Sequence, residues 1–324
     1  MSDRKLLLVI DVPTLVHRHH HARVQTRLTD RSGRPAWALH GMLRQLLEAV
    51  QSFAPDAVIC GLDDRTASIR RNAYPDYKAG RAEKHPELSE QLDRAGALLD
   101  ALGMATLMPP GLEADDVNAS SAAWAHRHDW NCVIITSDRD AFAHVSEHTQ
   151  VLRLINGGIS GSPLLNPARL RAMYGVRAEN YLEYAALRGD ASDNLPGVAG
   201  IGEKSAANLL EAVGSMQAVW ADIDHNEGRS LVEALDGWAD DNGVRHMGAT
   251  LLRRLTAPGA REAYDFNVRL MSGHDDLDLG LTPDVPGSRG LLPVDAERVG
   301  RVVGYLGVDA TTTLALTVLA GLRA

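Results

Sequence analysis

The sequence predicts an α/β fold: a parallel sheet flanked by helices over its first half, followed by a helical second domain. Three observations predict it. Short apolar runs without polar alternation, "KLLLVI" (5–10), "AVIC" (57–60) and "CVIIT" (132–136), read as strands buried on both faces. Longer stretches with apolar residues at helical spacing lie between them, so strand and helix alternate. Beyond about residue 166 the strand signal stops, and short helices with tight turns take over.

Taken in order, the first strand is followed by the helical pattern "WALHGMLRQLLEAVQSF" (37–53). The second strand leads to "SEQLDRAGALLDALG" (89–103), which ends at a glycine stop. "ADDVNASSAAWAHRH" (114–128) is a third helix, then comes "CVIIT" and a further strand candidate, "TQVLRLI" (149–155). "NPARLRAMYGV" (166–176), "AENYLEYAALRG" (178–189) and "EKSAANLLEAV" (203–213) are the short helices of the second domain. "TPDVPGSRG" (282–290) reads as a flexible connector from its Pro, Gly and Ser content. The expected division is 1–165 for the α/β core, 166–280 for the helical module, and 281–324 for a segment packing back on the body.

The 324 residues are 45% hydrophobic and 23% charged, a globular composition that argues against long disorder. Cys60 and Cys132 sit in apolar runs and read as buried thiols of a cytoplasmic protein. Asp11 cuts the first apolar run too early for a secretory signal, and "TTTLALTVLAGL" is too short to span a bilayer. The net charge of −9 argues against binding polyanions by bulk charge, though not against a local basic surface.

The acids carry the chemistry. Asp11 follows the first strand, Asp63 and Asp64 the second, and Asp138 and Asp140 follow "CVIIT". In an open α/β sheet the carboxyl ends of the strands line the ligand crevice. "GLEADD" (111–116) adds Glu113, Asp115 and Asp116 at a helix start, where acids also serve as ordinary partners of the helix dipole. Converged on one sheet edge, so many carboxylates repel one another unless cations compensate. Hard divalent ions with oxygen ligands, Mg²⁺ or Mn²⁺, are the simplest compensation, and they suit phosphoryl chemistry. Competing motifs fail: "DVPT" lacks the second Asp of a phosphatase loop, and Glu203 interrupts the P-loop spacing in "GVAGIGEKS".

Two further stretches point to nucleic acid. "RTASIRRNAYPDYKAGRAEKH" (65–85) interleaves Arg65, Arg70, Arg71, Lys78, Arg81 and Lys84 with Tyr74 and Tyr77. Such groups contact phosphates and stack on bases. Lys78 and Arg81, three apart, are expected to face one phosphate from one helical turn. "LPGVAGIGEKSAANLL" (195–210) is a glycine turn entering a helix, whose free amides can hold a phosphate without reading sequence. Asp190 and Asp193 precede it, three apart on an expected helix end.

"VID" with Asp11, "YKAGRA" (77–82), "EADDV" (113–117), "TSDRD" (136–140), "LRGDASDNLPGVAGIGEKSAANLL" (187–210) and "VRLMSGHDDLDL" (268–279) follow one another in an order that resembles the bacterial 5′-nuclease family. That family comprises the 5′–3′ exonuclease domain of DNA polymerase I and stand-alone flap endonucleases. The resemblance covers roughly residues 5–280. It implies a PIN-like core with a helical arch in the 65–95 region, and a helix–three-turn–helix DNA-binding module. It implies that Asp11, Asp63, Glu113, Asp115 and Asp116 serve one metal site, and Asp138, Asp140, Asp190 and Asp193 its neighbour. Lys78 and Arg81 match the basic pair that steers the scissile phosphate, Tyr77 a base-stacking position, and Arg18 a basic residue near the active site. Arg70, Gly197, Gly200, Gly202 and Lys204 are expected on DNA, with K⁺ held by the carbonyls of Val198 and Ile201. The expected partners are branched or 5′-ended DNA, RNA–DNA hybrid primers included, bound by a monomer. No polymerase sequence follows, which implies a stand-alone enzyme.

The sequence also departs from the family pattern. Val12 stands where the family has glycine, "GLDD" replaces "FDA" so that Asp64 competes with Asp63, and "HRHHHA" (17–22) replaces a tyrosine-rich helix. His17, His19, His20 and His21 are read as a polar helix variant, though the same residues are able to bind a soft metal. Two rivals remain at this stage: a non-catalytic junction-binding scaffold, and a ribonuclease acting on RNA alone.

Overall fold

The computed structural model describes residues 4–322, so the first three and last two residues of the expected domain spans lie outside the described residues. Its main sheet runs β1 (Leu6–Asp11), β2 (Ala57–Gly61), β3 (Ala105–Leu107), β4 (Asn131–Thr136), β5 (Thr149–Arg153) and β6 (Leu164–Leu165), in the spatial order β3-β2-β1-β4-β5-β6. The pairs β3–β2, β2–β1, β1–β4 and β4–β5 are parallel. Residues of β1 and β2 are buried almost throughout, as unalternating apolar runs require. β3 was not expected; it is three residues long and stops before Pro109, too short to show a period.

The chain divides into two compact units. Unit 1 comprises residues 1–69, 82–164 and 273–324, and unit 2 comprises 70–81 and 165–272. In unit 1, α1 (Val12–Arg23) leaves β1 directly, and α2 (Trp37–Phe53) occupies the span its periodicity predicts. α2 buries Trp37, Leu39, Met42, Leu43 and Leu46 in the main core, each burial contributing about 1.5–3 kcal/mol. The short α3 (Ile69–Ala73) begins in unit 1 and continues into unit 2. α4 (Pro86–Ala101) starts at the His85 cap and packs Leu88, Leu92, Ala95 and Leu99 inward. α5 (Ala114–Arg127) follows the "GLEADD" turn, and α6 (Gly158–Gly161) is a single turn.

In unit 2, α7 (Pro167–Tyr174) is capped by Asn166, whose Oδ1 accepts the Arg169 N–H at 2.8 Å, with Pro167 opening the helix. α8 (Tyr181–Arg188) runs into the antiparallel pair β7 (Gly189–Asp190) and β8 (Leu195–Pro196). α9 (Glu203–Val213), α10 (Met216–Asn226), α11 (Arg229–Asp241), α12 (Gly248–Leu255) and α13 (Ala260–Met271) complete this unit. Two helices of unit 1 close the chain, α14 (Ala296–Gly304) and α15 (Asp309–Leu319). Val299, Val303, Leu306, Ala315 and Leu319 join the core that α2 faces, so this last segment packs on the sheet unit. The 282–290 connector is anchored there too: Val58 N–H donates to Gly290 O at 2.7 Å.

Cys60 and Cys132 are free and buried, and burial pushes the Cys132 thiol up to about 12, so neither is reactive. No helix among the described residues is long and apolar enough to cross a membrane.

Candidate active site

The chain winds from β1 to β2 and β3 on one side, then returns to place β4 and β5 on the other. The order therefore reverses between β1 and β4, and crevices of α/β sheets open at such switch points. Asp11 ends β1 and Thr136 ends β4. Asp11 also caps α1, its Oδ1 accepting the Thr14 N–H at 3.0 Å. Its Oδ2 accepts from Thr136 Oγ1 at 2.5 Å and Thr14 Oγ1 at 2.7 Å. Burial, with a smaller push from the charge of Asp63, nonetheless raises the Asp11 carboxyl to about 6 against those hydrogen bonds. Neither threonine was singled out from sequence. Thr136 stands 125 positions from its partner, and only the parallel pairing of β1 with β4 brings them together.

The "GLEADD" turn resolves into a reciprocal cap on α5. Glu113 is the N-cap and its side chain takes the Asp116 N–H, while Asp116 Oδ2 accepts the Glu113 N–H at 2.9 Å. Asp63 Oδ1 accepts the Ala114 N–H at 3.0 Å. Three carboxylates thus sit on the positive end of one helix, which offsets part of their repulsion without any ion. Asp116 is fully buried, and its Oδ1 accepts the His274 N–H at 3.1 Å. Ser120 completes that docking by donating to His274 O at 2.6 Å. Asp115 is half-buried and accepts from Asn118 at 3.4 Å. Burial pushes the adjacent His144 down to about 4, against the pull of Asp116 and Asp275, so it is neutral.

Asp63 and Asp64 make different local contacts. Asp64 organises its own loop: Oδ1 accepts from the Thr66 N–H and hydroxyl, and Oδ2 accepts the Gly111 N–H at 2.7 Å. These bonds, led by the Thr66 hydroxyl, hold its carboxyl well below the usual range. Asp63 is the one that acts on Asp11. On the β4 side, Asp138 accepts the Asp140 N–H at 3.0 Å, and both are half-buried. A cleft of about 570 Å³ opens beside Asp63, with His17, Arg65 and Lys84 in its wall. Arg18 donates to Ile155 O at 2.6 Å.

Unit 2 holds the other expected residues. Asp190 and Asp193 are not on a helix end: Asp190 lies in β7 and Asp193 in the turn to β8. Nor do Lys78 and Arg81 share a helical turn. The segment after α3 is a chain of turns, and Lys78 has φ +56°. They meet on Asp193 instead, with Arg81 Nη2 at 2.7 Å and Lys78 Nζ at 3.7 Å from its two oxygens. Lys78 N–H also donates to Asp193 O, and Asn194 Nδ2 donates to Asp76 O, so backbone bonds fix the turns to the β7–β8 link. Tyr77 is 4% exposed, packed with Leu195 and Leu270, and Lys78 Nζ lies 4.8 Å from its ring centre. These apolar contacts cover the ring whose position matches a base-stacking site. Arg70 donates to Leu270 O at 2.9 Å, a cation at the C-terminus of α13. Asp190 accepts from the Ser192 N–H and hydroxyl, both at 2.7 Å.

The glycine turn is dictated by close backbone approach. A Cβ on Gly197 would lie 2.3 Å from Arg188 C and O, and one on Gly189 would lie 2.2 Å from Gly197 N. Asn267, fully buried, was not found from sequence. Its Nδ2 donates to Ala186 O and Pro196 O, tying α8 to β8. Gly200 and Gly202 are exposed, as is Lys204 in the first turn of α9. The Val198 carbonyl accepts the Ile201 N–H at 2.9 Å.

The donor set at the sheet edge is all oxygen, which fits a hard divalent ion. The described residues bring three candidate ligands within 4.8 Å of one another in one place: His20, His85 and Glu87.

A family profile described as "5'-3' exonuclease, N-terminal resolvase-like domain" matches residues 6–175, and one described as "5'-3' exonuclease, C-terminal SAM fold" matches 176–264. A thermostable DNA polymerase I of Thermus aquaticus is 40% identical over 218 residues, which is 67% of this chain and 25% of the relative. The chain thus spans about a quarter of the length of the curated relatives it matches. Among solved structures, a bacteriophage T5 flap endonuclease in a pseudo-enzyme-product complex with DNA and metal ions aligns with TM-score 0.56 at 18% identity, covering 97% of this chain and 98% of that one. The catalytic core of Rad2 in complex with DNA substrate aligns with TM-score 0.55 at 15% identity, covering 97% and 92%. At these identities the likeness establishes the fold: a PIN-like, mostly parallel sheet flanked by helices, with a helical SAM-like C-terminal part.

Proposed function

The chain belongs to the 5′–3′ exonuclease family, and from that premise we propose that it is a structure-specific 5′-nuclease. It hydrolyses phosphodiesters of DNA at 5′ ends and near the junctions of 5′ flaps, in replication-fragment processing and repair. The observation that supports this most is Asp11: a carboxylate at the switch point, oriented by two hydroxyls, whose pKa burial raises with a smaller push from Asp63. Such a group is poised for a cation brought from outside the chain.

In this reading Asp11, Asp63, Glu113, Asp115 and Asp116 would hold one Mg²⁺ or Mn²⁺ ion, and Asp138 and Asp140 would offer oxygens to a second; bound there, the ions would supply the Lewis acidity for a water nucleophile at neutral pH and offset charge on the phosphate. Thr14 and Thr136 hold Asp11 in its ligating orientation. Lys78 and Arg81, set by Asp193, pair with the scissile phosphate. That pairing supports an orienting role for Asp193; a ligand role for Asp190 and Asp193 rests on the family resemblance. Arg18, Arg70 and Lys204 contact backbone, and Gly197, Gly200 and Gly202 allow a duplex close to the amides before α9, with K⁺ at the carbonyls of Val198 and Ile201. Tyr77 stacks on a terminal base once its ring is uncovered. The P–O3′ bond breaks, leaving a 5′-phosphate and a 3′-hydroxyl. The protein acts as a monomer in the cytoplasm, and RNA-primed 5′ ends are among its substrates.

Incubation with a 5′-flap DNA in Mg²⁺ or Mn²⁺ tests the reading. Cleavage near the junction that stops in chelator is expected. Flap binding that survives chelator with no turnover in either metal would leave a binding scaffold instead.

A further inference from the structure

We propose that His20, His85 and Glu87 form a binding site for Zn²⁺ or a similar borderline transition ion, separate from the acid-lined sheet edge. His20 is on α1, His85 is the N-cap of α4, and Glu87 lies in the first turn of α4. One donor atom from each lies within 4.8 Å of the other two. His20 is 5% exposed, and neither of its ring nitrogens has a hydrogen-bond partner. It is the one imidazole among the described residues with both nitrogens buried and orphaned, a costly state for a polar group.

The neighbouring groups favour an ion. The His20 and His85 rings are 6.0 Å apart, and His85 Nδ1 lies 3.6 Å from Glu87 Oε2. That Nδ1 also accepts the Glu87 N–H at 3.3 Å as the cap of α4, so Nε2 is the nitrogen His85 offers an ion while the cap holds, and bonds of about 2.0–2.1 Å in a tetrahedron put ligand atoms about 3.4 Å apart. His85 is exposed and Glu87 half-buried, so rotation of either can close the remaining gap. Arg27 reaches the other Glu87 oxygen, Oε1, at 3.7 Å, which leaves Oε2 to the site. His21 meets His20 edge-on at 5.2 Å, and Trp37 covers the inner side at 5.6 Å. Two imidazoles and one carboxylate are the ligand chemistry of Zn²⁺, with a fourth position left to water, and not that of Mg²⁺. A bound ion fastens the last turn of α1 to the start of α4, and so fixes the downstream end of the basic 65–85 stretch.

The test is uptake of Zn²⁺, or Co²⁺ as a coloured substitute, by the full chain in excess Mg²⁺ that saturates the oxygen sites. One ion per chain is expected, with a tetrahedral Co²⁺ spectrum carrying nitrogen ligands. His85→Ala and Glu87→Gln should each weaken uptake roughly tenfold or more, while Mg²⁺-supported flap cleavage by both stays within about twofold of the parent. No stoichiometric uptake in excess Mg²⁺, or uptake unchanged in both variants, overturns the site. The Co²⁺ spectrum of the unaltered chain decides the question even where a variant folds poorly. Because uptake and cleavage are read separately, failure here leaves the nuclease reading untouched.

Discussion

Asp11 and Asp193 are both buried aspartates at 5% exposure, and the fold treats them in opposite ways. Asp193 receives two cations from its own chain, Lys78 and Arg81. Asp11 receives only hydroxyls and one backbone amide, with another carboxylate acting on it. Burial without a counter-charge raises the Asp11 pKa, whereas Asp193 is neutralised in place. The contrast teaches what to ask of a buried carboxylate: whether the compensating charge comes from its own chain or has to come from outside it.

The comparison breaks first at Asp11. Asp11→Asn should lower flap cleavage on the order of 10³-fold, about 4 kcal/mol of barrier. The sign of its stability effect is opposite. The folded-state pKa, about 6, lies above the unfolded value of 3.8. The fold therefore favours the protonated acid, and stability falls as pH rises through that window, by about 3 kcal/mol in all. The metal-free Asn variant should consequently melt a few degrees above the parent at pH 8, and this gain should shrink towards pH 4. Added Mg²⁺ should raise the melting temperature of the parent more than that of the variant. Equal pH profiles by calorimetry would show that Asp11 is not the uncompensated group.

Gly197→Ala probes the backbone that carries Asp193, and its clash should cost more than about 3 kcal/mol, read as a lower urea midpoint. Asp193→Asn should cost about 2–3 kcal/mol by the same measurement, since Lys78 is 12% exposed and loses its counter-charge. Half-exposed Arg81 adds little to that figure. The smallest expected effect is Thr136→Val. Loss of one donor should raise the Asp11 pKa and move the acid limb of the cleavage–pH profile up by about one unit or less.

Local patterns in the sequence carried the fold well. α2 and α9 occupy their expected spans because an amphipathic period and clear ends define them. α1 was less legible, since it alternates polar histidines with few apolar residues, and β3 was too short. For the candidate site, the strand-end aspartates could be read from position alone. What decides their chemistry could not. Thr136 with Asp11, Lys78 with Asp193, and Asn267 with Ala186 are contacts between distant positions, made by topology and turn geometry. The helical spacing expected of Lys78 and Arg81 gave way to a left-handed residue, which no periodic pattern announces.

Unit 2 is assembled from two stretches of chain that are not adjacent in sequence, 70–81 and 165–272. During synthesis the first stretch leaves the ribosome seconds before the second, at ~5–20 residues per second. Until the turn bearing Asp193 emerges, Lys78, Arg81 and the apolar face of Tyr77 have no docking place in unit 2. Nascent chains stalled just before and just after that turn should therefore differ sharply in protease sensitivity around residue 78, and a fragment beginning at 165 should fold only when the missing dozen residues are supplied in trans.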